Sequence, residues 1–181
     1  MARKGARVID ADVVAHELLA DDKTCFKKIL RVFGRAVIEN GKISRQKMAA
    51  VVFRQPKKLK ALEGIIHPAV VAHIKREIAS LRRQKKQGVV VLDVPLLFES
   101  GIDALTDVTM VVKASQEKQI LRARKQLKLS RSEALARIKS QMPLQNKIRL
   151  ADIIIDNGGT LTKTKQQVDK IWVRLSQKRK K

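Results

Sequence analysis

The chain has 181 residues, 44% of them hydrophobic, which suits one globular domain with a core and is too short for two comfortable ones. The lone cysteine, Cys25, excludes an internal disulfide. No apolar run approaches the ~18 residues of a membrane span, and the residues after Met1 do not form a signal peptide. We therefore expect a soluble cytoplasmic protein. The 40 Lys and Arg residues against 17 Asp and Glu give a net charge of +23, which favours polyanionic partners.

The first half of the chain is predicted to form one short strand followed by helices. The strand is expected at Arg7–Asp10. Apolar residues at helical spacing, the cap residue Ser44 and two helix-opening prolines predict helices over 12–19, 23–33, 44–53, from Pro56, and from Pro68 to the basic residues 82–86. Gly88 ends the last of these helices.

The most informative segment is Gly88–Glu99, with the sequence Gly-Val-Val-Val-Leu-Asp-Val-Pro-Leu-Leu-Phe-Glu. Its apolar run predicts a strand buried on both faces, as in a parallel sheet. The run ends at Asp93, and Pro95 stops the strand. A carboxylate at the carboxyl end of a parallel strand lies where α/β sheets bind ligands, often as a residue that orients Mg²⁺ or water. The alternative interpretation is that Asp93 only caps the next turn.

The second half continues the alternation of strands and helices. Apolar runs predict a buried strand over 107–112 and a further apolar strand over 153–156. Helices are predicted from Ser115 and from a capping box that begins at Ser130. On the last helix, the residues expected to face inward are Leu161, Val168, Ile171, Trp172 and Leu175. The predicted fold class is therefore α/β, with a parallel sheet and one helical insertion over residues 23–87.

Short motifs occur along the whole chain in a fixed order. They are Val8-Ile9-Asp10-Ala11-Asp12 with His16-Glu17, Phe33-Gly34, Asn40-Gly41 before Arg45, Val52-Phe53, Leu62-Glu63, His67-Pro68-Ala69-Val70, Asp93-Val94-Pro95-Leu96-Leu97-Phe98-Glu99, Gln119 with Arg122, Arg137 to Gln141, Lys147, and Ala151-Asp152 through Asp156-Asn157-Gly158. Each motif alone is weak, but the ordered series resembles the dephospho-coenzyme A kinase family specifically and over essentially the whole chain.

The resemblance implies an enzyme that uses ATP to phosphorylate the 3′-hydroxyl of the ribose of dephospho-CoA, giving CoA and ADP, the last step of coenzyme A biosynthesis. It also implies a P-loop kinase fold with a core parallel sheet. Within a single kinase-like chain, 1–181, the implied parts are a core over 1–22, 88–112 and 151–181, a helical CoA-binding insertion over 23–87, and a lid over 113–150. ATP and Mg²⁺ are the implied cofactors, dephospho-CoA and ATP are the implied small-molecule partners, and no membrane partner is expected.

Three carboxylates are the implied centre of the reaction. Asp12 matches the proposed general base of the family, which accepts the ribose proton. Asp10 is placed to orient the sugar or to assist at Mg²⁺, and Asp93 to hold the Mg²⁺ shell through water. Such a reaction needs alignment and charge neutralisation more than covalent help. The alternative interpretation of Asp10 and Asp12 is an N-cap aspartate together with a turn at the strand end.

Residues of the acceptor site follow from the same resemblance. Pro95, Leu96 and Leu97 occupy positions at which the family binds the acceptor, dephospho-CoA. His67 is a further candidate for substrate binding, although a histidine before a proline is more often structural. The three histidines and Cys25 show no metal-ligand spacing.

The segment 113–149 is strongly basic, opposed only by Glu117 and Glu133. Cationic groups that close over a triphosphate neutralise its charge and exclude water. Arg122 and Lys147 occupy the phosphate-contacting positions of the family. Gln126 departs from the pattern, because the family usually has a second arginine there; Arg124 or Lys125 are possible substitutes. The alternative for most of these charges is a solvated helix face.

The motif Gly-x-x-x-x-Gly-Lys-Ser/Thr, whose backbone N–H groups and lysine cradle the β- and γ-phosphates of ATP, does not occur in the 181 residues. The family places this loop directly before the segment where this sequence starts. We therefore expect the sequence as written to bind ATP and to fold poorly, and Met1 to be an internal methionine of a longer protein. The alternative expectation is a true truncation, either inactive or completed by another polypeptide.

The alternative function is a basic nucleic-acid-binding or regulatory pseudoenzyme on a kinase-like scaffold. The net charge of +23 leaves this possibility open, whereas an aromatic content of 3% with no tyrosine offers few platforms for base stacking. A steep fall of nucleic-acid affinity with salt, without saturable binding of dephospho-CoA, would favour it.

Overall fold

A computed structural model describes residues 1–52, 55–84 and 88–177. The predicted helix end at Phe53, the basic residues 85–86 and the boundary at 87 lie outside these residues. The chain divides into two compact units: a first unit, Arg7–Pro95, and a second unit, Met1–Ala6 together with the chain from Leu96 onward. None of the described helices combines the length and apolarity needed to cross a membrane.

The first unit is built on a pair of parallel strands. β1, Arg7–Asp10, pairs with β4, Val90–Asp93, in the register Arg7 to Val90 through Asp10 to Asp93. Between them the chain forms a short antiparallel hairpin of β2, Ile38–Glu39, and β3, Lys42–Ile43. Asn40 at the hairpin turn has a positive φ, a conformation that asparagine and glycine adopt at low cost.

Four helices complete the first unit: α1, Ala11–Asp21; α2, Lys23–Phe33; α3, Arg45–Val52; and α4, Pro56–Arg83. α4 packs against each of the other three. Its buried residues, Ile66, Val70, Ile74 and Leu81, recur at intervals of four and seven residues and therefore lie on one face of the helix. The helix α2 has the predicted bounds.

The prediction of separate helices from Pro56 and from Pro68 is wrong, because both prolines lie in the single 28-residue helix α4. Pro68 removes one backbone hydrogen bond and crowds the carbonyl of Gly64, which costs about 3 kcal/mol in a helix interior. Ile66 and Val70, on either side of it, are both buried. Burial of each such side chain contributes about 1.5–3 kcal/mol, so the continuous apolar face offsets the cost.

β4 is not buried on both faces as predicted. The side chain of Val90 is 38% exposed, and Asp93 is also exposed. Within the described residues β4 pairs with β1 alone, so it belongs to a two-stranded ladder. An apolar run therefore identified the strand correctly but overestimated its burial.

The second unit contains its own parallel pair. β5, Met110–Lys113, pairs with β6, Ile153–Asp156, so that Lys113 lies opposite Asp156. Four helices accompany it: α5, Gln116–Leu127; α6, Arg131–Lys139; α7, Leu144–Leu150; and α8, Leu161–Gln177. The capping box at the start of α6 is present, with both reciprocal hydrogen bonds between Ser130 and Glu133. The predicted α/β class with parallel strand pairing is confirmed.

Three details of the second unit differ from the predictions. β5 is not buried as predicted, because the side chain of Val112 is 56% exposed. β5 begins at Met110 rather than at 107, because the N–H and Oγ1 of Thr109 both donate to Oδ2 of Asp152, at 2.7 Å each, which fixes the point where the ladder starts. Leu161 does not face inward: its side chain is 69% exposed at the first residue of α8, and Ile171 is the buried residue of that helix.

We expect Ile74→Ala to lower the free energy of unfolding by about 2–5 kcal/mol, because the side chain is 0% exposed and its loss leaves a cavity under α4. Chemical denaturation followed by circular dichroism measures the change. Leu161→Ala, which removes an exposed leucine, is the matched control and should cost less than about 0.5 kcal/mol. Equal effects of the two substitutions would contradict this description of the core.

Candidate functional site

Three carboxylates converge at one end of the strand pair of the first unit. Asp10 and Asp93 are the last residues of β1 and β4 and lie directly opposite each other in the parallel register. Asp12 follows in the first turn of α1. The three aspartates that the sequence singled out are therefore brought together, and we call Asp10, Asp12 and Asp93 the acid cluster.

Asp10 has a structural role that the sequence analysis left open. Its Oδ1 accepts hydrogen bonds from the backbone N–H groups of Asp12, at 2.9 Å, and Val13, at 3.1 Å. These bonds make Asp10 the N-cap of α1 and satisfy two of the N–H groups that a helix start leaves unpaired. They also fix the backbone of Asp12, whose side chain is exposed to solvent.

The carboxyl of Asp93 is the perturbed member of the acid cluster. Although Asp93 is exposed to solvent on one side, the protein atoms around its carboxyl group displace part of its water, and this partial desolvation raises its pKa above the ordinary value. The negative charges of Asp10 and Asp12 raise the pKa further. A nearby cation stabilises the ionised form of such a carboxylate, because it offsets the repulsion among the three negative charges. Within the described residues no group of three or more His, Cys, Asp or Glu side chains is arranged to hold a metal ion by itself.

The segment after β4 forms a closed turn that belongs to the second unit from Leu96 onward. Pro95 is exposed, whereas Leu96 and Leu97 are half-buried. The Oγ of Ser100 donates to the carbonyl of Leu96 at 2.6 Å, and the N–H of Ile102 donates to the carbonyl of Leu97 at 3.1 Å. His67 lies apart from this segment in sequence, half-buried in the middle of α4.

Several basic side chains of the second unit form hydrogen bonds or ion pairs with specific oxygen atoms. The guanidinium of Arg122 donates to the carbonyl of Asn157 at 2.9 Å, and the ammonium of Lys118 donates to the carbonyl of Gly158. Lys147 forms an ion pair with Glu99 at 2.8 Å between Nζ and Oε1. Gln126, in contrast, lies exposed near the end of α5.

A cleft of about 830 Å³ opens at the carboxyl ends of β5 and β6. Its lining residues are Lys113, Ala114, Ser115, Lys118, Leu144, Gln145, Ile148, Ile154, Asp156, Gly158, Gly159, Lys163 and Gln167. Three lysines and an apolar wall suit a ligand with an anionic part and an apolar body. Lys163 and Glu99, the partner of Lys147, were not predicted as site residues; in the sequence, the strand end followed by Gly158-Gly159 was the available signal for the cleft.

The chain is similar to known proteins over nearly its whole length. A family model described as "Dephospho-CoA kinase" matches residues 1–163. The "Dephospho-CoA kinase" of Symbiobacterium thermophilum is 45% identical over 169 residues, 93% of this chain and 70% of the relative, and that of Carboxydothermus hydrogenoformans is 39% identical over 167 residues, 91% and 80%.

Two solved structures have a similar fold. The structure of TT1252 from Thermus thermophilus has a TM-score of 0.76 and 31% identity, covering 96% of this chain and 87% of that one. A dephospho-CoA kinase from Campylobacter jejuni has a TM-score of 0.70 and 28% identity, covering 98% of this chain and 89% of that one.

We expect Asp93→Asn to raise the melting temperature near neutral pH. The pKa of this carboxyl is higher in the folded than in the unfolded chain, so its ionised form opposes folding at every pH above the unfolded value. The increase in melting temperature should become smaller as the pH falls toward about 3, where the carboxyl is protonated in both the folded and the unfolded chain. Thermal melts across this range measure it, with the exposed Asp107→Asn as control. A loss of stability near neutral pH would contradict the cause given for the shift.

Proposed function

Since the chain belongs to the dephospho-CoA kinase family, transferases of the last step of coenzyme A biosynthesis, we propose that it transfers the γ-phosphoryl group of ATP to the 3′-hydroxyl of the ribose of dephospho-CoA. The ribose oxygen forms a bond to the γ-phosphorus, the bond from that phosphorus to the β,γ-bridging oxygen breaks, and ADP leaves. The single observation that carries the proposed mechanism is the convergence of Asp10, Asp12 and Asp93 at the end of β1 and β4.

Asp12 is the proposed general base that accepts the ribose proton. Its side chain is exposed and therefore accessible to a substrate hydroxyl. Asp10 supports it by fixing the backbone N–H of Asp12 through the N-cap hydrogen bond of 2.9 Å. With one carboxylate oxygen committed to two N–H groups, Asp10 is suited to orienting its neighbours and the sugar rather than to taking the proton.

Mg²⁺ fits the donor set of the acid cluster. Carboxylate oxygens are the ligands that this hard cation prefers, and it commonly keeps several waters when only one or two carboxylates bind it. The raised pKa of Asp93, caused by burial and by two neighbouring carboxylates, indicates a position that lacks compensating positive charge. We assign Asp93 to the metal through water, with Asp10 assisting. When bound, Mg²⁺ neutralises charge on the phosphates of ATP.

The second unit is proposed to bind ATP. The cleft at the ends of β5 and β6 is bordered by Lys113, Lys118 and Lys163, which favour an anionic ligand. Arg122 presents five N–H donors, of which the carbonyl of Asn157 takes one. We propose that Arg122 and Lys147 contact the phosphates, and that the surrounding segment, 113–150, acts as a lid.

For the acceptor, we propose that Pro95, Leu96 and Leu97 contact dephospho-CoA together with His67. The turn at Leu96 and Leu97 is closed by its own hydrogen bonds, which suits a fixed apolar contact. In this proposal residues 23–87 bind CoA, and residues 1–22, 88–112 and 151–181 form the core.

We expect Asp12→Asn to lower kcat by about 10²–10⁴-fold, the usual contribution of a general base, while the KM values for both substrates stay within about threefold. A spectrophotometric assay coupled to ADP release, on the protein expressed from its own gene, measures both constants. Asp107→Asn makes the same chemical change at an exposed position outside the acid cluster and is the control. A kcat within about fivefold of the wild type would remove Asp12 from the proposed role.

A further inference from the structure

We infer that Glu99 is a positioning residue for the transfer reaction, whose carboxylate holds Lys147 and the beginning of α7 in the arrangement that presents the lysine to the phosphates of ATP. The inference rests on the proposed function, because it takes its meaning from the role proposed for Lys147. It adds a residue whose side chain contacts the lysine rather than the substrate.

Glu99 is supported by a turn that does not depend on its side chain. The N–H of Ser100 donates to the carbonyl of Leu96 at 3.0 Å, and the Oγ of Ser100 donates to the same carbonyl at 2.6 Å. Gly101 adopts a left-handed conformation, with φ of 69°, and Ile102 after it is buried. A substitution at Glu99 therefore removes the carboxylate contacts while this hydrogen-bonded turn keeps its own support.

One oxygen of Glu99 binds two groups at the start of α7. Oε1 accepts from Nζ of Lys147 at 2.8 Å and from the backbone N–H of Met142 at 2.9 Å. The N-cap residue of α7, Pro143, provides no side-chain cap hydrogen bond. Nζ of Lys147 also donates to Oε1 of Gln141 at 3.4 Å. Glu99 thus joins Met142, which precedes the N-cap residue, to the lysine within the helix through a single atom.

This ion pair differs from the others in the second unit by its burial. The side chains of Lys147 and Glu99 are 12% and 22% exposed. The corresponding values are 35% and 55% for Lys4 and Asp169, 43% and 54% for Lys113 and Asp156, and 55% and 70% for Arg131 and Glu117. Burial alone raises the pKa of Glu99, but the hydrogen bonds from Lys147 and Met142 outweigh it and leave the pKa lowered. The carboxylate therefore stays ionised at neutral pH.

Stability alone does not account for such a pair. Two charges taken out of water pay a desolvation cost that their attraction only partly repays, and apolar residues of similar size often stabilise a protein as well. The ion pair instead fixes a position. The ammonium group of Lys147 is carried by a flexible four-carbon chain, and the carboxylate of Glu99 holds it at one place. A misplacement of about 1 Å in a positioning group can cost up to about 10²-fold in rate.

The test compares Glu99→Gln with the control Asp169→Asn on the protein expressed from its own gene. Both changes convert a carboxylate that pairs with a lysine into an amide, and Asp169 lies on α8, outside the proposed lid. We expect Glu99→Gln to raise the KM for ATP about 5–50-fold, to change the KM for dephospho-CoA less than about twofold, and to speed hydrogen exchange at the Met142 amide. Glu99→Asp keeps the charge but shortens the side chain by one methylene group, so it should recover only part of the loss.

A double-mutant cycle separates positioning from a general effect on folding. If Glu99 acts through Lys147, Glu99→Gln should have little further effect on the KM for ATP in a Lys147→Met background. Additive effects, or kinetics of Glu99→Gln equal to those of Asp169→Asn, would overturn the inference. If Glu99→Gln fails to fold, the cycle is run with Glu99→Asp, and the same additivity decides. A wild-type protein that forms no CoA would instead overturn the proposed function, and this inference with it.

Discussion

The parallel hydrogen-bond ladder between β1 and β4 is the constraint on which the acid cluster depends. Its register sets Asp10 level with Asp93, at the carboxyl end of both strands. A slip of one residue would move one of these side chains to the other face of the ladder. Asp10 then caps α1 and thereby fixes the backbone at Asp12. One strand pairing thus determines the positions of all three carboxylates. Desolvation is the main cause of the raised pKa of Asp93, and the negative charges of Asp10 and Asp12 raise it further.

Charge is distributed differently in the two units. The first unit concentrates carboxylates at one strand end, although acidic residues are outnumbered 17 to 40 by basic ones in the whole chain. In the second unit, lysines surround the cleft at the ends of β5 and β6, and carbonyl oxygens or Glu99 hold several of the cations. A net charge of +23 suits substrates that carry phosphates, ATP and dephospho-CoA among them. The contrast between the units follows the division of roles proposed for them.

Much of the fold followed from local patterns in the sequence. The strand before Asp93, the capping box at Ser130 and the helix at 23–33 depend on neighbouring residues only, and each of these elements is present where it was predicted. The continuity of α4 through Pro68 was not predictable locally, because it depends on burial against α1, α2 and α3. Burial of β4 and the direction of Leu161 were misjudged for the same reason: both depend on tertiary packing.

The candidate site shows the same limit. Asp10, Asp12 and Asp93 were singled out from strand ends and motif resemblance; the structure places Asp10 and Asp93 opposite each other at the strand ends and Asp12 in the first turn of α1, while their roles stay predictions. The partnership of Glu99 with Lys147 joins residues 48 positions apart in sequence, and no periodicity signals such a contact. Distances between side chains on separate elements were therefore the information that the structure added.

The most direct test of the account is to identify the product formed from dephospho-CoA and ATP by the purified protein expressed from its own gene. Phosphorus NMR distinguishes a new 3′-phosphomonoester on the ribose from inorganic phosphate. We expect this phosphomonoester to appear in equal amount with ADP. Release of ADP with inorganic phosphate alone, or no reaction of dephospho-CoA, would contradict it.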